Sequence, residues 1–128
     1  MSKRIADALF PEIKLTYQEA EALYPPRDLR EGEVCTRFAP SPTGFMHIGG
    51  LYTALLNSVV TKNRGGVFFL RIEDTDQKRQ IKNGVTEIIQ TLNDFQIQFD
   101  EGPVNETEDR GRYGPYRQSL RREIYQAF

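Results

Sequence analysis

The chain has 128 residues, 38% hydrophobic and 27% charged, which suits one ordinary globular domain and excludes a disordered or fibrous class. A formal net charge of −1 advertises no nucleic-acid surface, so any such contact must rest on local patches. A single cysteine, Cys35, excludes an internal disulfide or a cysteine-rich zinc site, and with no signal-peptide pattern and no apolar run near the ~20 residues of a membrane span the expectation is a soluble, cytoplasmic protein without membrane association.

Residues 1–33 read as an N-terminal extension, to which no function is assigned. Within it, Thr16 to Glu19 has the spacing of a capping box, predicting a short helix through Leu23 that Pro25 and Pro26 stop. A polar connector from Arg27 to Gly32 then leads to the core, 34–128, whose first strand is the compact, β-prone run Val34 to Phe38. Cys35 on that strand is expected to be a small buried hydrophobe. After a Pro/Gly-rich loop, Leu51, Ala54, Leu55 and Val59 recur at helical spacing. Leu56 and Val60 widen the apolar face enough for cover on two sides, and Gly65 and Gly66 end the helix. Val67 to Ile72 is a dense apolar run of strand length. Asn83 is the candidate cap of a second helix with Val85, Ile88, Ile89, Leu92 and Phe95 as its stripe, and Ile97 to Phe99 is the expected third strand. Tyr116, Leu120, Ile124 and Phe128 form a stripe on a last helix, with no obvious cover inside the segment. The alternation of strand and helix predicts parallel pairing with right-handed crossovers. The fold class is therefore α/β, the N-terminal half of a Rossmann-like doubly wound parallel sheet preceded by a short helical extension.

In such a sheet ligands sit beyond the carboxyl ends of the strands, and two unusual stretches fall there. Ala39 to Gly50 joins strand to helix: prolines fix its path, glycines permit close approach, and the helix start supplies amides and partial positive charge for a phosphate. Ser41, Thr43 and His47 add side-chain hydrogen bonds. The bland alternatives are a tight turn and a histidine with a structural role. Arg71 to Asp76 places three carboxylates and an arginine at the exit of the second strand, where a solvated turn is the competing reading. Glu73 lies beside the same crevice as Arg37. Together they could grip a zwitterion, the carboxylate taking an ammonium and the guanidinium a carboxylate, as an amino acid requires.

Arg37 to Gly50 resembles the HIGH signature region of class I aminoacyl-tRNA synthetases in the form found in bacterial-type glutamyl-tRNA synthetases. Arg71 to Asp76, Asp100 to Pro103 and Tyr116 to Ser119 resemble later blocks of that family, in order, over roughly residues 34–128. The resemblance implies ATP-dependent activation of L-glutamate to glutamyl-adenylate and its transfer to the 3′ end of tRNA(Glu). It implies that Arg37 binds the side-chain carboxylate of glutamate, that Ala39 and Ser41 line its pocket, and that Glu73 holds the α-amino group. Thr43, His47, Gly49 and Gly50 would surround ATP, with His47 and Thr43 as the catalytic candidates and His47 donating to phosphate oxygens as charge builds. Gly50 stands where many class I enzymes carry a second histidine; a small residue there fits the glutamate subfamily. Mg2+ is expected to travel with the ATP phosphates, with no protein-bound metal in this segment, since Asp74 and Asp76 fit a turn that positions Glu73.

Ser41 and Thr43 argue against glutaminyl and archaeal-type enzymes, which read more like PPEPNG here, and Thr75 argues against enzymes that glutamylate a modified anticodon base, which typically show RIEDID. From another class, a nucleotide-binding or regulatory module could retain the fold without ligase activity. Arg110, Arg112, Arg117, Arg121 and Arg122 read equally as solvated charges or acceptor-stem contacts. The resemblance also implies an N-terminal fragment lacking the KMSKS-type loop and anticodon-binding domain, expected to be monomeric and unable to aminoacylate tRNA alone.

Overall fold

The computed structural model describes residues 13–128, so the start of the expected extension, 1–12, lies outside the described residues. Helix α1 (Tyr17–Leu23) begins as its spacing predicts: the Thr16 hydroxyl accepts from the Glu19 amide, and the Glu19 carboxylate accepts from the Thr16 amide. The connector after it is not a loose spacer. Arg27 donates to both carboxylate oxygens of Glu101 at 2.8 and 2.6 Å, with its guanidinium 4.0 Å from the Tyr113 ring centroid, so this segment is fastened to the core.

Strands β1 (Val34–Phe38) and β2 (Gly66–Leu70) pair in parallel, Val34 opposite Gly66 and Phe38 opposite Leu70. Helix α2 (Ile48–Arg64) joins them, burying Leu51, Ala54, Ser58 and Thr61 on one face. Small residues let it approach β1 closely: Thr36 Oγ1 lies 2.6 Å from Thr61 Oγ1 and donates to Asn57 O at 3.2 Å. The expected face is thereby corrected. Leu55, Leu56, Val59 and Val60 are 46%, 46%, 42% and 43% exposed among the described residues, because close contact with the strand selects small side chains and turns the bulky aliphatics outward. Cys35 is likewise exposed rather than buried, since it alternates to the opposite side of β1 from Thr36 and Phe38. At the start of β2, Gly66 has φ 105, and a Cβ there would stand 2.0 Å from Val34 O, so only glycine admits the turn from helix into paired strand.

Helix α3 (Gly84–Asp94) buries Val85, Ile88 and Leu92 with Ile89 partly buried, whereas Phe95, beyond the last turn, is 59% exposed. Asn83 occupies the cap position but forms no cap bond, because its left-handed backbone (φ 60) is not the extended geometry that aims a capping side chain. Glu106 does the work instead, accepting from the Thr86 amide at 2.8 Å and hydroxyl at 3.0 Å.

Ile97 and Phe99 are buried, but the expected strand over 97–99 does not form. Gln96 turns the chain at φ 56, and pairing with β2 begins at Asp100, whose amide donates to Phe68 O, and Glu101, whose carbonyl accepts from Leu70 N, both at 2.8 Å. Phe69 and Glu101 form a parallel bridge, so the third segment does run alongside β2 in the anticipated direction. Strands β3 (Gly102–Pro103) and β4 (Asp109–Arg110) then pair antiparallel. A 3-10 turn (Gln118–Arg121) leads into α4 (Arg122–Ala127). The stripe expected on a single last helix is divided. Arg117 bridges to Ile72 in extended form, leaving Tyr116 before the helical turns and 1% exposed, while Leu120 and Phe128 are 63% and 66% exposed. One core joins β1, β2, α2 and α3 through Phe38, Leu51, Phe68, Leu70, Ile72, Ile88 and Leu92.

Candidate functional site

Past the carboxyl end of the sheet, the two stretches singled out in the sequence run side by side. Arg71 N donates to Phe38 O at 3.0 Å, Glu73 N to Pro40 O at 2.9 Å, and Ile81 N to Pro42 O at 3.0 Å, so the loop after β1 is laced to the segment after β2. Register then decides which side chains meet. Arg37 stands opposite Phe69, and alternation along 69, 71 and 73 puts Arg37, Arg71 and Glu73 on one face, while Ile72 and Asp74 are buried on the other.

Arg37 Nη2 and Glu73 Oε1 approach to 4.0 Å, with their side chains 42% and 38% exposed. This is a loose approach of opposite charges, weak in water, and it leaves both groups open to a ligand. Arg71 beside them is half-buried; its Nε has no hydrogen-bond partner, and burial pulls its pKa down. The acids that follow are otherwise engaged. Asp74 accepts from the Ser119 amide at 2.8 Å and hydroxyl at 2.6 Å. Asp76 is taken by Arg79, whose guanidinium holds its carboxyl below the usual range. Among the described residues no three His, Cys, Asp or Glu side chains gather as a metal cage.

The loop itself walls a recess of ≈ 270 Å³ bounded by Phe38, Ser41, Thr43, His47, Gly50 and Ile88 among others. Four of the sequence candidates, Ser41, Thr43, His47 and Gly50, therefore share one wall. Arg37 and Glu73 meet outside it, and Ala39 is half-buried on the chain between. Gly49 lies under the imidazole, where a Cβ would come within 3.0 Å of the ring.

His47 is also the N-cap of α2, its Nδ1 accepting from the Gly49 amide at 3.1 Å. A neutral imidazole that accepts at Nδ1 carries its proton at Nε2, which is left as a donor on an exposed residue. The His47 carbonyl accepts from the Gly50 and Leu51 amides at 2.9 and 3.2 Å, so the amides anticipated for a phosphate are partly taken. What the helix start presents is its dipole and the imidazole N–H. Underneath, Gly84 lets α3 press on the loop, since a Cβ there would stand 2.9 Å from Pro42 O.

Of the arginines considered as nucleic-acid contacts, three have structural partners. Arg117 is buried against Asp109 at 2.9 Å, Arg110 donates to the Phe99 and Asp100 carbonyls, and Arg121 donates to the Tyr113 and Pro115 carbonyls. Arg112 and Arg122 are exposed. The sequence reading passed over the Asp74 contact with Ser119, 45 residues away, and the Arg27 contact with Glu101, 74 residues away; no local spacing announces partners so distant.

Residues 33–128 match the family described as "tRNA synthetases class I (E and Q), catalytic domain". The chain is similar to a glutamate–tRNA ligase of Clostridium perfringens, 46% identical over 126 residues, covering 98% of this chain and 23% of that protein. It is similar to the mitochondrial glutamate–tRNA ligase of Schizosaccharomyces pombe, 53% identical over 95 residues, covering 74% of this chain and 17% of that protein. The crystal structure of glutamate–tRNA synthetase from Elizabethkingia anophelis superposes with a TM-score of 0.67 at 46% identity, covering 73% of this chain and 18% of that one. The chain thus spans less than a quarter of the length of these relatives.

Proposed function

We propose, given that this chain belongs to the class I tRNA synthetases (E and Q) through the catalytic-domain segment 33–128, that it supplies the glutamate- and ATP-facing part of a bacterial-type glutamate–tRNA ligase. The observation that carries this reading is the lacing of the loop after β1 to the segment after β2, which sets Arg37 against Glu73 while the same loop walls a recess with Thr43 and His47. Opposite charges on one face suit an amino acid whose side chain is a carboxylate: Glu73 takes the ammonium, and Arg37 the side-chain carboxylate. Ser41 and Ala39 line the passage between the two halves. Thr43, His47, Gly49 and Gly50 receive ATP.

In the reaction a glutamate α-carboxylate oxygen attacks the α-phosphorus of ATP, the bond to the β-phosphate oxygen breaks, and pyrophosphate leaves glutamyl-adenylate. A hydroxyl of the terminal adenosine of tRNA(Glu) then takes the acyl group, and AMP departs. No enzyme nucleophile is needed; positioning and charge stabilisation carry both steps. The His47 Nε2–H donates to phosphate oxygens as negative charge builds, and the dipole of α2 acts in the same direction. Mg2+ arrives with the ATP phosphates, in keeping with the commitment of Asp74 to Ser119 and Asp76 to Arg79.

The same reading makes the sheet the first half of a doubly wound one, supported by the parallel pairing of β1 with β2 and of Glu101 beyond β2, with residues 1–33 as an extension before the catalytic domain. It places the whole protein in the cytoplasm as a monomer. Titration calorimetry of the chain with glutamate, ATP and a non-hydrolysable glutamyl-adenylate analogue tests it. The expected order has the analogue tightest, because it spans both halves; no binding of any of the three would leave a structural or regulatory module.

A further inference from the structure

The segment carrying Glu73 is held from both sides, and only one of those sides belongs to the ligand-facing loop. On the near side, the Glu73 amide is tied to Pro40 O at 2.9 Å. On the far side stands the stretch 116–119, whose bridge from Arg117 to Ile72 puts Arg117 and Ser119 on the face of Ile72 and Asp74, opposite to Glu73. Ile72 N donates to Tyr116 O and Gln118 N to Ile72 O, both at 2.9 Å, extending the sheet by one parallel rung. The next residue after Glu73 completes the attachment. Asp74 is 8% exposed, and its two carboxylate oxygens each accept one hydrogen bond from Ser119, from the amide at 2.8 Å and from the hydroxyl at 2.6 Å. Its main-chain carbonyl accepts from Gln80 Nε2 at 2.7 Å.

A buried carboxylate requires donors, and among the described residues no cation forms a salt bridge with Asp74. Its donors are therefore an amide at the start of a 3-10 turn and a hydroxyl, both directional, so they fix the orientation of the carboxylate as well as satisfying it. Asp74 and Glu73 are consecutive and point to opposite faces. Any rotation of the backbone that freed Asp74 would swing Glu73 away from Arg37. The Arg37 to Glu73 approach, at 4.0 Å, is too loose to hold that geometry unaided.

We infer that Asp74 and Ser119 are a positioning pair for the amino-acid site, setting Glu73 opposite Arg37 from the far side of the sheet. The inference deepens the amino-acid reading proposed above and rests on it for its functional meaning, while the positioning itself can be measured without ligand. In the 128-residue chain, amide hydrogen exchange at Glu73 is compared between wild type, Ser119→Ala, which deletes the hydroxyl, and Ser119→Thr, which restores it; Asp74→Asn provides a second disruption. Removing a hydrogen bond to a buried carboxylate should speed exchange at Glu73 about tenfold in Ser119→Ala, with recovery in Ser119→Thr, while Ile97, bonded to Leu92 O in the core, keeps its rate. Unchanged exchange at Glu73, or acceleration shared equally by Ile97, overturns the positioning role.

Glutamate affinity by calorimetry is the companion readout. A loss in Ser119→Ala of about tenfold, with ATP affinity unchanged and glutamate affinity regained in Ser119→Thr, supports the pair as part of the amino-acid site. Altered exchange with unchanged glutamate affinity reduces it to a structural contact and overturns the inference. A wild-type chain that binds ATP but no glutamate sinks the amino-acid reading instead, and the exchange result still decides whether Ser119 sets Glu73.

Discussion

Arg37 and Glu73 face each other across 4.0 Å without closing into a tight pair, so a ligand carrying both charges can enter between them at little cost. Arg37→Ala should therefore weaken glutamate binding tenfold or more, on the order of one charge-assisted hydrogen bond, and leave ATP binding nearly unchanged; calorimetry showing equal losses for both ligands would contradict the assigned role. His47 has two duties that can be separated by substitution. His47→Ala removes the cap of α2 and should cost about 1 kcal/mol of stability, whereas His47→Asn keeps a capping acceptor and should restore most of it. Both variants lack the imidazole N–H, so both should bind ATP more weakly by the same factor. If Asn rescues ATP binding along with stability, His47 is only a cap. The candidate residues of this site were legible because they are crowded into one loop and one strand exit, where composition departs from that of ordinary helix and strand. The capping duty of His47 was not, because histidine is a poor predictor of a cap, and Asp74 with Ser119 was not, because chain separation conceals it.

At the scale of elements, the sequence names helices better than it names their faces. The capping box at Thr16 is a four-residue signal satisfied entirely by local atoms, and α1 begins where it predicts. The seam of α2 is Leu51, Ala54, Ser58 and Thr61, a choice driven by the space beside β1, which hydrophobicity cannot report. The first turn of α3 draws its acceptor from Glu106 through a loop that no periodicity anticipates. The missing third strand has a similar cause: Ile97 and Phe99 are inward-facing as expected, but the ladder starts later because Gln96 must first reverse the chain. Gly66 offers a sharp test of how tightly β1 and β2 are joined. Gly66→Ala meets both a left-handed backbone and a carbonyl at 2.0 Å, so it should lose on the order of 3 kcal/mol or more by urea denaturation. Gly32, at φ 87 in open space, carries only the backbone penalty, and Gly32→Ala should lose about 1–2 kcal/mol. Equal losses would mean that the strand pair yields.

For the molecule as a whole, the segment ahead of the core is anchored by a polar knot: Arg27 on Glu101, and the Tyr116 hydroxyl on Glu101 Oε2 at 2.6 Å. The Arg27 guanidinium holds the Glu101 carboxyl below its ordinary range, while burial and the neighbouring carboxylate push the Tyr116 phenol up. Because the folded-state pKa of Glu101 is depressed, its contribution is fully present above the ordinary value of 4.5 and is lost as pH falls through the folded one. Arg27→Ala should cost about 2 kcal/mol at neutral pH and flatten the acid limb of the stability curve below about pH 4.5; an acid limb as steep as wild type would show that Glu101 is not its source. Spanning 23% of a ligase relative, the 128-residue chain should also charge no tRNA by itself, and measurable aminoacylation by the purified polypeptide would refute this. Finally, β1 pairs on one side with β2 and, among the described residues, on the other with nothing, and the only thiol of the chain sits on that strand, exposed. Cys35 is thus a built-in reporter: a maleimide dye attached there needs no engineered cysteine, and its rate of attachment should slow whenever another polypeptide edge comes to lie alongside β1.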